Sequence, residues 1–142
     1  MVKVTRTPGR HTLRDLTVDV GLEGDFAAAH TSGDNSALLA TDTMRNVVYA
    51  LARTHPIDSL ESFGAALVEH FLRAGPTVER VRIDIAEHPW ERLGDHEHAF
   101  QPHVDGEVAQ LMASRRPRDL HHAHLGLAVA VASQRQGDQL PR

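Results

Sequence analysis

Apolar and polar residues alternate in two runs near the start of the chain. Val2 and Val4 interleave with Lys3 and Thr5, and Leu16, Val18, Val20 and Leu22 interleave with Thr17, Asp19, Gly21 and Glu23. A period of two gives a strand one buried face. The Pro8-Gly9 step between the runs is a turn signal, which predicts a hairpin. After the turn cluster Gly33-Asp34-Asn35, residues 36–40 read as a short strand ending at Thr41. The period then changes, with Met44, Val47, Val48 and Leu51 falling at i, i+3, i+4 and i+7 on one helical face. Thr41, Asp42 and Thr43 are the candidate N-caps of that helix. A second helix opens at Asp58-Ser59-Leu60-Glu61, a capping-box pattern with Asp58 in the cap position, and carries Leu60, Phe63, Leu67, Phe71 and Ala74 as one stripe. Gly75-Pro76 stops it.

Val81, Ile83 and Ile85 alternate with Arg82 and Asp84, predicting a strand from residue 77 towards 90, and residues 99–112 can return beside it. The order is two strands, two helices and two strands, an α+β layer with both helices on one face of an antiparallel sheet. From Ser114 the pattern differs. The cluster Arg115, Arg116 and Arg118, the run His121-His122-Ala123-His124 and an apolar stretch at 125–132 follow, and that stretch fits a helix or a strand equally. The chain is therefore divided into a domain at 1–113 and a divergent tail at 114–142, read as a short helix or as lacking fixed structure. No internal repeat is visible.

Composition narrows the function classes. A 142-residue chain, 41% apolar and 24% charged, suffices for one core and excludes general disorder. A net charge of −4 offers no broad basic footprint, so nucleic-acid and anionic-membrane roles are disfavoured. Without cysteine, disulfides, thiolate zinc sites and cysteine nucleophiles are excluded, which suits a reducing compartment. No apolar run approaches the roughly 20 residues that span a bilayer, and the first residues have no apolar signal core. A cytoplasmic location is expected.

Thr41 and Asp42 are the candidate site. A hydroxyl beside the free amides that open a helix can hold a planar anion, while helix capping is the alternative role of the same pair. Asp34 and Asn35 read as turn formers. His96, His98 and His103 invite a metal reading, since His-x-His on a strand places two rings on one face, but zinc needs three or four ligands in compatible geometry. No metal site is assigned, and His121, His122 and His124 read as a solvated tail. Trp90 and Phe100 are expected in core or interface packing rather than substrate stacking. No Ser-His-Asp set, phosphate loop or dinucleotide-binding glycine run is recognisable.

The blocks VKVTR, LRDLTVDVGLEGDF, GDNSALLATDTMRNVVYALAR, SLESFGAALVEHFL and VRIDIAEHPWERL with HEHAF, in that order up to about residue 110, resemble the first half of uricases (urate oxidases). The resemblance implies the T-fold, an antiparallel sheet with two helices on one face in ββααββ order. It also implies cofactor-free oxidation of urate by O2 to 5-hydroxyisourate and H2O2 in urate catabolism. Thr41 matches the threonine of the family's proton relay, and Asp42 the neighbouring substrate contact, both reaching into a site formed with another subunit. The partners implied are urate and O2, with homo-oligomerisation through sheet edges or pairing with a missing second half; no cofactor, nucleic acid or membrane is implied.

The family's relay lysine belongs to a YGK-like segment upstream of the first matching block, and Lys3 is not its equivalent. The histidine, arginine, glutamine and stacking aromatic residue belong to the second T-fold half. The chain thus reads as an N-terminal T-fold half truncated at both ends, without the relay lysine and second half, and whether it oxidises urate alone is left open. The alternatives are a non-catalytic remnant or assembly module, half of a split uricase, or a pterin-type T-fold enzyme with zinc on the histidines.

Overall fold

Alternation in the sequence becomes the two faces of one sheet. A computed structural model describes residues 1–75, 77–114 and 130–135. Strands β1 (Val2–Thr7) and β2 (Arg10–Gly24) form the predicted hairpin, with Gly9 at the turn in the left-handed region at φ 75°. Helices α1 (Ala27–Thr31), α2 (Thr41–Thr54) and α3 (Leu60–Ala74) follow, then β3 (Val78–His88). Next come β4 (Trp90–Arg92), β5 (Phe100–Pro102), β6 (Glu107–Ser114) and β7 (Ala130–Arg135). The main sheet runs β1-β2-β3-β6-β7 with all neighbours antiparallel, and β4 and β5 form a separate two-stranded ribbon.

Register explains the core. Val20 lies opposite Ile83 and Ile83 opposite Leu111, while Leu22, Val81 and Ala113 form the next row. Residues directly opposite share a face, so these rows make one apolar surface. Helix α3 covers it with Phe63, Leu67 and Phe71, all fully buried, and each such burial contributes about 1.5–3 kcal/mol. Gly64 sits where any Cβ would run into the Leu111 side chain, so glycine lets α3 lie this close to β6. The other face is charged: Asp19 and Arg82 lie 3.4 Å apart, and Asp84 is 3.3 Å from Arg82. This is the antiparallel α+β layer expected of a T-fold, with α1, the ribbon and a fifth sheet strand, β7, added to the ββααββ order.

Two basic residues tie the sheet to the loop between α2 and α3. Lys3 Nζ donates to the His55 carbonyl at 2.8 Å. Arg14 donates to both carboxylate oxygens of Glu87 at 2.7 Å and also to the Ile57 carbonyl. The Glu87 hydrogen bonds raise the Arg14 pKa further above its ordinary value, against the opposing effect of burial.

Several expectations are corrected. Residues 36–40 are turn and coil, because their polar groups are used locally: the Ser36 amide donates to Asp34 Oδ1 at 2.9 Å, and the Leu38 amide to the Asn35 carbonyl at 3.0 Å. The N-cap of α3 is Ser59, not Asp58, in a reciprocal capping box with Ser62. The return at 99–112 is broken into β5 and β6 around Pro102, which has no amide to donate, and the exposed Val104. Trp90 and Phe100 lie on the ribbon outside the buried core: Trp90 Nε1 donates to Asp15 at 3.3 Å, and the Arg92 guanidinium lies 4.9 Å from the Phe100 ring centre. The α3 C-cap is Gly75, while Pro76 lies outside the described residues. So do the arginine and histidine clusters at 115–124 and most of the 125–132 stretch, whose last residues enter β7. Among the described residues, no helix is long and apolar enough to cross a membrane.

Candidate functional site

The approach to α2 is built from short-range bonds. Gly33 takes φ 72°, and Asp34 then closes a turn onto the Ser36 amide. That bond holds the Asp34 carboxyl below its ordinary range. Thr77 Oγ1 donates to the Ala37 carbonyl at 3.0 Å, and Leu39 packs on the core, so the segment entering α2 is anchored to the start of β3.

Ala40, in extended conformation, occupies the N-cap of α2 and has no side-chain capping bond. None of the three candidate caps holds that place: Thr41, Asp42 and Thr43 are the first three helical residues. Their amides precede the first helical bond, which runs from the Met44 amide to the Ala40 carbonyl at 3.0 Å. Thr41 is exposed, and its hydroxyl has no hydrogen-bond partner among the described residues. The Asp42 carboxylate turns back along the helix to Arg45 at 3.1 Å, which leaves the Asp42 amide as its group facing outward from the helix start. Free donors, the positive end of the helix dipole and an unengaged hydroxyl thus converge at one place.

Beside this helix start lies a cleft of about 270 Å3 bounded by Met1, Val18, Asp19 and Val20 on one side and Thr41, Met44, Arg45, Val48 and Tyr49 on the other. Its floor is aliphatic, and its polar groups are a hydroxyl, a guanidinium, a phenol and the Asp19 carboxylate. No local pattern marks it, because it forms where two segments more than twenty residues apart, each read only as a strand or a helix, come together.

The histidines disperse. His98 Nδ1 meets His11 Nδ1 at 3.1 Å, with the two rings tilted at 4.4 Å. His103 lies 3.4 Å from Glu91 and 3.9 Å from Asp105. The His96 carbonyl accepts from Arg92. Among the described residues, no three histidine or carboxylate side chains gather where they could hold a metal ion. Lys3, which bonds the carbonyl just past the end of α2, is a helix length from Thr41, roughly 20 Å at 1.5 Å per residue.

The family model described as Uricase matches residues 1–116. Over 100 residues the chain is 45% identical to a uricase of Arthrobacter globiformis, a match that spans 70% of this chain and 33% of the relative. It is 41% identical over 107 residues to a uricase of Danio rerio, covering 70% and 36%. The crystal structure of Arthrobacter globiformis uricase aligns with a TM-score of 0.75 and 42% identity over 80% of this chain and 40% of that one. A hyper-thermostable AgUricase mutant aligns with a TM-score of 0.81 and 37% identity over 95% and 42%. The chain therefore spans about a third of the length of these curated relatives.

Proposed function

The chain belongs to the uricase family, and on that premise we propose that it supplies the Thr41–Asp42 wall of a urate-oxidising site. In this reading the Asp42 amide and the Thr41 hydroxyl hold one edge of the planar purine anion, and Thr41 carries protons between substrate and relay. Urate yields two electrons to O2, and water adds at the ring carbon that becomes hydroxylated. Urate, O2 and water thus become 5-hydroxyisourate and H2O2, with the protons accounted for between water, substrate and peroxide. Neither a metal nor an organic cofactor is needed, since the substrate itself is the reductant. The protein contributes position and electrostatics.

The observation that carries the proposal is the start of α2: three unpaired amides and an unbonded hydroxyl, free of capping duty, in the run that resembles the family's substrate-contacting block. Assembly with a second copy, or with a chain providing the remaining walls, is part of the same proposal.

A second reading, half of a split enzyme or a binding remnant, is favoured by a separate fact. Lys3 is the one lysine in the chain and is committed to the far end of α2, so the relay's ammonium has to come from elsewhere. The test is urate titration followed by amide chemical shifts, alongside urate loss in the ultraviolet and peroxide release, on the chain and on Thr41→Ala. Urate-dependent shifts at residues 41–43, lost in Thr41→Ala, are expected. Absence of both shifts and turnover from the folded chain overturns the site. Binding without turnover supports the split reading, and Thr41-dependent turnover by this chain alone removes it.

A further inference from the structure

One guanidinium joins the start of β2 to the loop between the two ribbon strands. Arg92 Nη2 donates to the His11 carbonyl, and Arg92 Nη1 donates to the His96 and Glu97 carbonyls at 2.7 Å each. Three bonds from one rigid fork to carbonyls on two segments fix both backbones against each other. The Leu93 amide closes the loop on itself by donating to the Ala99 carbonyl at 3.0 Å. The side chains of His11 and His98, 87 positions apart in the chain, are thereby brought together. Neither ring is used by the core or by the site at the start of α2: His11 is half-buried and the His98 side chain is 66% exposed.

The pair has the geometry of two ligands rather than of one hydrogen bond. A bond between imidazoles aims one Nδ1–H along the line to the other Nδ1, which sets the rings end to end. Here the two Nδ1 atoms are 3.1 Å apart and the ring centres only 4.4 Å apart, at a tilt of 38°. Rings placed end to end would have their centres further apart than this, so these bend off the line between their nitrogens. Two imidazole nitrogens bound to one ion at about 2.0–2.1 Å, with a square or tetrahedral angle between them, lie about 2.9–3.4 Å from each other. The observed separation falls inside that interval. The second nitrogen of His98 is also placed as in a ligand: Nε2 lies 3.6 Å from the Glu97 carboxylate, the arrangement in which a carboxylate orients a metal-bound imidazole. Glu97 sets a negative charge against that of Arg92 as well.

We propose that His11 and His98 form a two-histidine site for a divalent cation of the nickel, copper and zinc group, held through both Nδ1 atoms with water in its remaining positions. Imidazole donors select this group over magnesium and calcium, which take oxygen ligands. With two protein ligands the ion exchanges readily, unlike one in a closed structural site with four. Its effect is that of a staple, separate from the chemistry proposed at Thr41: it ties the β1–β2 hairpin to the ribbon loop, beside the bonds that Arg92 already makes. The His96-Glu97-His98 run draws attention to itself in the sequence, yet His96 gives Arg92 its carbonyl, and the partner of His98 comes from the hairpin.

The experiment is a titration of the full chain with zinc chloride, following the isotope-labelled imidazole nitrogens of each histidine by NMR. Zinc is diamagnetic, so every ring stays readable. The Nδ1 signals of His11 and His98 are expected to move together, at the same zinc concentration, and magnesium chloride at that concentration is expected to move neither. In His11→Ala only one ligand remains, and the zinc concentration that half-shifts His98 Nδ1 is expected to rise roughly tenfold or more, because the second bond is no longer made within one molecule. His98→Ala is expected to do the same to His11. The amide spectrum shows whether each variant is folded, and if the alanine variants are not, His11→Gln and His98→Gln keep a polar side chain without the ring. Zinc uptake that leaves both Nδ1 signals in place, as binding to His121, His122 and His124 alone would, overturns the proposal. So does movement of the Nε2 signals in place of Nδ1, or a His11→Ala chain whose His98 responds at an unchanged zinc concentration.

Discussion

Helices α2 and α3 are of nearly equal length, and both contribute to the core on the same side of the sheet, yet the chain treats them differently. Along α3, Leu60, Phe63, Gly64, Leu67, Val68, Phe71 and Leu72 are buried, and its start is sealed by the reciprocal Ser59–Ser62 cap. Along α2 only Val48 and Ala52 are buried, and its start has no side-chain cap. The difference teaches how one layer divides its tasks. α3 closes the core and spends its polar groups on itself. α2 gives up packing and keeps its first amides and the Thr41 hydroxyl open, which is where a ligand can use them.

The largest expected test of this division is in the core. Phe71→Ala should cost about 3–5 kcal/mol, whereas Val48→Ala should cost about 1–2 kcal/mol, from two methyl groups at about 0.8 kcal/mol each. Urea unfolding of both variants measures the contrast, and similar losses would mean that α2 is as essential to the core as α3. Next is Gly64→Ala, which forces a methyl group against Leu111 and should destabilise by about 1–3 kcal/mol despite the better helix propensity of alanine. A melting temperature that rose instead would show that α3 can lift off β6 at little cost.

The smallest effect concerns the approach to α2. The Asp34 carboxyl is held below its ordinary range by the Ser36 amide, so its contribution is present above the usual carboxylate range and fades as pH falls through the lowered value. An NMR titration should find Asp34 ionising below an ordinary aspartate, with the Ser36 amide shifting in step. An ordinary midpoint would remove the turn as a determinant of how the chain enters α2.

Much of the layer was legible in the residues. Period two gave β2 and β3 because each has one face in the core, and the i, i+3, i+4 spacing gave both helices. Where two local solutions fitted, the sequence could not choose: Asp58 with Glu61 and Ser59 with Ser62 both satisfy a capping box, and the structure uses the second. Residues 36–40 looked like a strand because they are apolar, but no neighbouring strand pairs with them among the described residues. The β4–β5 ribbon is too short for any period to show. The Thr41–Asp42 pair was legible as a helix start, whereas the cleft beside it forms only where β2 and α2 come together in space, which no local pattern encodes.

Arg14 joins three parts of the chain through one guanidinium. Its bonds reach Ile57 across 43 positions and Glu87 across 73. Contacts of such separation close only after the intervening loops have found their places, since loop closure must be met before the bond returns anything. The clamp therefore belongs to the last steps of assembly. Its loss would leave the folding rate nearly unchanged and appear as faster unfolding, so Arg14 acts less on whether the domain forms than on how long each formed molecule lasts.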